Sequence, residues 1–592
     1  MAPPKVIVIG GGVAGLTTAH EMIERGFTVD VYESRPAWGG KARSQPVVGT
    51  GAGGRLDLPG EHGFRFYPRF YRHVIDTMAR IPSGTGFVAD HLQATTEAAI
   101  AMIDDTTWYR FNRKELNTPY SLIESLEIFF QDLDFDEEDV TVFMLKLLEF
   151  ATSCDARRLA QYEPITWWDF LEADRCSTKF QTLLRSIPRM MVAMDSQRGS
   201  ARTIGTITMQ LLADFATTGS QNDRTMGGPT TQMWIDPWIA YLTGKGVTLH
   251  AADRVTAIDT AAGKISGIQL SGGGTATADY YVLAVPIDAA IGLISPAMGA
   301  LDPALATLRA QNPDDLVKWM VGVQYYLYED VPLVRGHMFY PDSPWALTSI
   351  SQPQFWRDLG LYRRTFGDGT VGGCISVDIS EWDTPGRYIA KTAKQCTPAE
   401  VASEVWQQLK AALDGTHAGE NILSDDLLHS WHLDEDLDYA TTPPANSSRL
   451  LVHPPGSWAL RPEASSAIPN LALAADFVRT NTNIASMEGA NEAGRRAANA
   501  IMDKSASTAG RVPVWPLVEQ TWFDAAKARD AKRFAKGKPH LFEAWGIQKV
   551  VRGAARLRIL EAAIGLGQLD DFLDQYKITR LIKAVTDALG LP

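Results

Sequence analysis

The stretch KVIVIGGGVAGLTTAHEMIERGFTVDVYE, Lys5 to Glu33, decides the fold. Lys5 to Ile9 is a short apolar, β-branched run that reads as a buried parallel strand. Next comes GGGVAG, with Gly10, Gly12 and Gly15 in the three places of GxGxxG. The first allows a tight turn, the second lets a pyrophosphate approach the backbone, and the third lets helix and strand pack closely. Val13 to Arg25 reads as a helix, with Leu16, Ala19, Met22 and Ile23 at helical spacing and Gly26 as its stop. Val13 and Ala14, its first turn, are counted with the glycines as cofactor-binding. Thr28 to Glu33 is the second strand. Glu33 ends it, 18 residues beyond Gly15, where a carboxylate accepts hydrogen bonds from an adenosine ribose. The bland alternative is a glycine-rich turn without a ligand. Glu33 would repel a 2′-phosphate, which favours FAD or NAD over NADP.

The next segment separates FAD from NAD. Ser34 and Arg35 lead into Trp38, Gly39, Gly40, Lys41, Ala42, Arg43 and Ser44. This run resembles the second glycine motif of the flavin amine oxidase and phytoene desaturase superfamily. There a GG-(R/K)-x-x-S/T stretch runs beside the FAD diphosphate and ribityl chain. Two glycines permit close backbone approach, and Arg43 offers a planar fork for phosphate, with a surface ion pair as the bland alternative.

Further segments carry the same resemblance in the same order. Val247 to Ile258 is similar to the strand-turn-strand that returns to the nucleotide domain, which implies that Val255 meets the adenine end through its backbone. Asp279 to Pro286 is similar to the family's aD-x-V-V-x-A-x-P strand. Asn470 to Arg479 resembles pnLflAGDw, with Ala475 in place of the usual glycine, and implies an Asp476 bond to the ribityl or diphosphate region. Ser486 to Arg495 resembles a helix start that brings Met487, Glu488 and Ala490 to the flavin, where a helix N-terminus stabilises the N1–C2=O edge. The resemblance spans roughly residues 5 to 505 and implies bound FAD.

Two long insertions separate these pieces. The first carries helical patterns at Ser121 to Phe130, Val140 to Thr152 and Phe180 to Ala193. Met190, Met191 and Met194 read either as core or as an adaptable lining for a long apolar ligand. In the second, Leu316 to Leu327 alternates and reads as one sheet strand. In the family's amine oxidase branch a lysine at this point bonds a water near flavin N5, which makes Lys318 the positional candidate. His337, Tyr340, Asp342 and Trp345 fall close together, and His337 with Asp342 reads either as an acid–base pair or as turn residues between prolines. Gly60 to Pro68, GEHGFRFYP, lies where the family's chain passes the isoalloxazine, so His62 and Arg65 are candidates. His429 and His432 lack a third ligand nearby, and no metal is expected.

Composition supports an ordinary globular chain. The chain has 592 residues, 45% hydrophobic and 21% charged, which excludes disorder, collagen and coiled coil. A net charge of −13 argues against nucleic-acid binding. Cys154, Cys176, Cys374 and Cys396 lie far apart, without CxxC, which fits a reducing cytosol. No signal sequence or spanning apolar run is found. Residues 511–592 carry 14 Lys and Arg against 9 Asp and Glu. Ile578, Leu581, Ile582, Val585 and Leu589 share a helical face beside Lys577, Arg580 and Lys583. That tail either packs on its own chain or docks peripherally on the inner face of an anionic membrane.

The expected architecture is α/β: a Rossmann-like FAD-binding domain from three segments (1–82, 226–299, 456–510), an α+β substrate domain with a mixed sheet (300–455), a helical cap segment (83–225) and a helical C-terminal extension (511–592). Arg461-Pro462 before IPNLALAAD, and EHGFRFYPRFY, look most like the phytoene desaturase and hydroxysqualene dehydroxylase branch. The expected reaction is hydride transfer between flavin N5 and a carbon of an apolar isoprenoid, as in carotenoid biosynthesis, with Lys318, His62 and His337 as candidate catalytic residues. Three alternatives stay open. They are a flavin amine oxidase with Trp458 in an aromatic cage, a redox-neutral isomerase or hydratase, and a non-catalytic prenyl-binding protein of this fold.

Overall fold

The computed structural model describes residues 3–63, 65–104, 108–112, 130, 135–215, 223–356, 359–413 and 422–546. The helical patterns at 121–129 and 577–589 lie outside these. The chain divides into two compact units. One comprises Met1–Trp108, Asp223–His453 and Ser457–Leu517; the other comprises Tyr109–Asn222, Pro454–Gly456 and Val518–Pro592.

In the first unit, five parallel strands lie in the order Thr248–His250, Thr28–Tyr32, Lys5–Ile9, Tyr280–Leu283, Leu471–Leu473. Three separated segments therefore build one sheet. Val6, Ile7 and Val8 are wholly buried, as the centre of a parallel sheet requires. Helix Val13–Glu24 covers the sheet together with helix Met487–Lys504. The two helices approach at Gly494, where a Cβ would stand 2.5 Å from the Ala14 carbonyl oxygen. The Asn491 amide donates to Thr17 Oγ1 at 2.8 Å and locks the pair.

The same unit holds a mixed sheet. Its strands run in the order Leu428–Leu433, Val321–Leu327, Gly373–Ile379, Leu347–Ser351, Gly336–Phe339, Glu97–Ala101. Val321, Val323, Tyr325 and Leu327 join Ile375, Val377 and Ile379 in an apolar core with helix Pro398–Leu413. The opposite face carries Gly322, Gln324, Ser376, Asp378, Thr348 and His337, all buried. The expected single strand over 316–327 is interrupted. Val317–Lys318 pairs with Leu450–Leu451, and the sheet strand starts only at Val321.

The second unit is helical. Glu137–Thr152 and Thr178–Val192 match the periodic stretches, and Pro188 lies inside the latter. Within this unit, helix Asp524–Phe534 of the extension is held by a buried ion pair. Arg157 is fully buried, and its guanidinium reaches both oxygens of Asp530 at 2.9–3.0 Å. Among the described residues, no helix is long and apolar enough to cross a membrane.

Candidate active site

The dinucleotide turn has two positions that only glycine fits. Gly10 has φ +112°, and a Cβ on Gly15 would stand 1.9 Å from the Gly10 carbonyl oxygen. The second glycine motif folds against the first. Gly12 bridges Gly39, the Gly39 N–H donates to the Gly11 carbonyl at 2.9 Å, and Gly39 and Gly40 both have positive φ. Glu33 is buried at the end of its strand. Its carboxylate accepts from the N–H of Gly11 at 2.7 Å, the N–H of Arg35 at 2.9 Å and the Ser34 hydroxyl at 3.1 Å. The Asp253 N–H donates to the Glu33 carbonyl, which brings the segment leading to Val255 to this end of the turn.

The sequence left Arg43 to phosphate or to an ion pair, and the structure has the ion pair: the segment 434–449 claims Arg43 together with Arg35 and Lys41. Arg43 donates to Asp436 at 2.6 Å and to the Gly40 carbonyl at 2.8 Å. Arg35 donates to the hydroxyls of Ser447 and Ser448 at 3.1 Å, and Lys41 to the Arg449 carbonyl. What Gly39 to Arg43 leaves for a diphosphate is therefore mainly backbone, Ala42 included. Glu488 is also engaged. Its buried carboxylate accepts from the backbone N–H groups of Arg72, His73 and Val74 at 2.8–2.9 Å and bonds His73 Nδ1 at 2.6 Å. Ser486 takes the N–H groups of Gly489 and Ala490, so Met487 and Glu488 are left to offer main-chain donors.

These features fit FAD. Asp476 carries a buried carboxylate oxygen, Oδ1, with no partner among the described residues, beside the strand that closes the sheet. An orphaned acceptor there is costly unless a ligand donor meets it. The approach at Gly12 is open as well: a Cβ there would find nothing nearer than the Gly40 Cα at 3.9 Å.

Residues 60–63 and Arg65 join this turn to the mixed sheet. Arg65 donates to the carbonyls of Lys41 at 3.2 Å and Arg43 at 3.3 Å, to Thr230 Oγ1 at 3.1 Å and to Glu61 at 3.3 Å. Ser44 Oγ donates to Glu61 at 2.6 Å. On the other side, the Gln324 side chain bonds both main-chain groups of Glu61 at 3.1 Å, and the Gly322 N–H donates to the His62 carbonyl at 2.8 Å. His62 thus lies at the seam between the cofactor turn and the sheet face that bears Gln324. Its Nδ1 bonds Asp434, which leaves Nε2 without a protein partner among the described residues.

Electrostatics divides the carboxylates. Burial raises Glu61 above its ordinary range, and Arg65 only partly opposes this. Burial also pushes Asp434 and Asp436 up, but His62 and Arg43 respectively outweigh it and hold both below the usual range. His62, Asp434 and Asp436 each bring a ligand atom within 4.8 Å of the others. A cation there would face the Arg43 guanidinium, which already neutralises Asp436, so the charge balance opposes a metal.

Other candidates are placed elsewhere. Lys318 is partly exposed and pairs with Asp383 at 3.6 Å. His337 is buried edge-on to Phe66, with ring centroids 4.7 Å apart. Of the two readings of His337 and Asp342, the acid–base pair does not form: the Asp342 carboxylate caps the N–H groups of Ile103 and Asp104 at 2.9 Å. Trp458 lies near two guanidiniums, those of Arg461 and Arg479 at 5.5 and 5.6 Å from its ring centroid, which hold the ring by cation–π contacts. Glu61, Asp434 and Asp436 escaped the sequence reading. Only Glu61, next to His62, had a local signal.

Comparison with known proteins agrees. The chain is 23% identical over 545 residues to zeta-carotene desaturase of Synechocystis sp., covering 85% of this chain and 98% of that protein. It is 39% identical over 70 residues to the carotenoid phi-ring synthase of Chlorobaculum tepidum, a stretch of 12% of this chain and 10% of that one. Among solved structures, cyclohexylamine oxidase from Brevibacterium oxydans superposes with a TM-score of 0.58 at 16% identity, over 85% of this chain and 100% of that one. Residues 13–502 match the profile of the flavin containing amine oxidoreductases, and the chain belongs to that family as an FAD-dependent oxidoreductase.

Proposed function

We propose that the chain moves hydride between FAD and a carbon of an apolar, isoprenoid-type substrate. The observation that carries the reading is the end-to-end similarity to a zeta-carotene desaturase, which spans 98% of that relative rather than its nucleotide motif alone. When bound, FAD supplies a two-electron acceptor. Gly10 to Gly15, Glu33, the backbone of Gly39 to Arg43, Asp476 and the start of helix Met487–Lys504 would hold it. In a desaturation two C–H bonds break and one π bond forms. One hydrogen leaves with its bonding pair and the other leaves as a proton. His62 Nε2, at the seam beside Gln324, takes that proton. Lys318, tied to Asp383, has no part in this scheme.

The test is anaerobic titration of the purified flavoprotein, following the flavin band with polyprenes and then amines. Bleaching by a polyene or a squalene-like compound is the expected result. Bleaching by amines alone overturns the substrate class. Bleaching by neither, with FAD present, favours a redox-neutral reaction over hydride transfer.

A further inference from the structure

We propose that Asp434 is the positioning residue for His62, holding the ring with Nδ1–H on its carboxylate and keeping the Nε2 lone pair for the substrate proton. The inference rests on the role given to His62 above and names the group that sets it up.

The carboxylate is fixed from three sides. Oδ2 bonds His62 Nδ1, while Oδ1 accepts from the Gln45 amide at 2.8 Å and from the Asp436 N–H at 2.8 Å. Asp434 cannot turn away from the ring without losing both of those bonds. The two backbones are fixed by one residue between them. The Gly322 N–H donates to the His62 carbonyl at 2.8 Å, and the Gly322 carbonyl accepts from the Asp434 N–H at 3.2 Å. A Cβ on Gly322 would stand 2.7 Å from the carbonyl oxygens of Glu61 and His62, so the distance from ring to acid depends on this glycine.

The surrounding charges leave Asp434 as the anion that His62 faces. Asp436 is neutralised by Arg43 at 2.6 Å, with Arg35 at 3.4 Å, and Glu61 is paired with Arg65 at 3.3 Å. The His432 ring lies against Gly60, and burial holds it below its ordinary value although Asp434 pulls the other way. Asp378 lies against Gly63. Because both Oδ1 partners are N–H donors, the carboxylate acts as an acceptor throughout, and an acceptor on Nδ1 selects the tautomer with the lone pair on Nε2.

The test uses the flavin-loaded full chain and needs no substrate. In protein with ¹⁵N-labelled histidine, at about pH 8 where an ordinary imidazole is neutral, the His62 signals, assigned by their loss in His62→Gln, should show a protonated Nδ1 and a bare Nε2. A protonated Nε2 in the unmodified chain overturns the proposal, whatever any variant does. In Asp434→Asn, the rate of His62 acylation by diethyl pyrocarbonate, read by peptide mass spectrometry, should fall several-fold. The rate at His91 and the flavin content should stay unchanged, and Asp434→Glu should recover part of the rate. An unchanged His62 rate in loaded Asp434→Asn also overturns the proposal. If the tautomer and acylation results hold but polyprenes leave the flavin band unchanged, Asp434 still positions His62 and only the substrate reading fails.

Discussion

Gly12 and Gly40 pass each other without room for a side chain on one side only. A Cβ on Gly40 would lie 3.0 Å from the Gly12 Cα, whereas one on Gly12 would lie 3.9 Å from the Gly40 Cα. The protein itself therefore tolerates alanine at 12, but the diphosphate it must admit does not. Gly12→Ala should keep its stability within about 1 kcal/mol and purify without flavin. Gly15→Ala, whose Cβ meets the Gly10 oxygen at 1.9 Å, should lose more than about 4 kcal/mol and fail as a fold. Thermal melts beside flavin absorbance distinguish the two, and a yellow Gly12→Ala would contradict the assignment of the turn.

Asp436 makes the acid limb of stability testable. It and Asp434 are both held below their ordinary value of 3.8. An acid with a lowered folded pKa contributes fully above its unfolded value and loses that contribution as the pH falls through the folded one. Stability should therefore decline below about pH 4. Asp436→Asn, which leaves Arg43 buried opposite a neutral amide, should cost about 3–5 kcal/mol at neutral pH and flatten that decline. Denaturant unfolding across pH measures both effects.

Much of this arrangement is legible in the chain because it is local. The turn at 10–15, the acid at 33 and the helix after Gly12 lie within one supersecondary unit, and each strand carries its own apolar run. His62 could be picked out as a candidate, but its partner could not. Asp434 is 372 residues away, and Asp436 is 393 from Arg43, so no spacing rule links them. Alternation over 316–327 hid a break at Trp319 and Met320, which separates Lys318 from the sheet strand. His337 and Asp342 are five positions apart, yet the strand ends between them and Asp342 turns to the backbone at 103–104.

Arg461 ties the last nucleotide segment together. Its guanidinium donates to the carbonyls of Phe477 at 3.1 Å and Asp476 at 3.0 Å, and also to Asn483. Arg461→Lys loses the fork that spans these acceptors. The expected outcome is weaker flavin retention on dialysis, with a loss of about 1–3 kcal/mol in stability. Retention equal to that of the unmodified chain would count against a role for this arginine at Asp476.

In the second unit, Asp530→Ala strands the Arg157 charge in the interior and should cost about 3–5 kcal/mol. His540, in the same unit, is pushed down to about 4 by burial. The folded chain then binds fewer protons than the unfolded one between pH 6.5 and about 4, so stability falls as the pH drops through that window. His540→Asn should remove this slope, as read by the melting temperature at successive pH values.

The edge strand Leu471–Leu473 reaches its place beside Tyr280–Leu283 more than 460 residues after Ile9 has been made. A ribosome adding 5–20 residues per second needs roughly 25–90 s for that interval. For the last ~190 residues of it, roughly 10–40 s, the apolar strand at 280–283 presents an open hydrogen-bonding edge, a template for pairing with other nascent chains. Yield in cells should therefore depend on holdase chaperones during synthesis more than on flavin supply, which becomes relevant only once the sheet has closed.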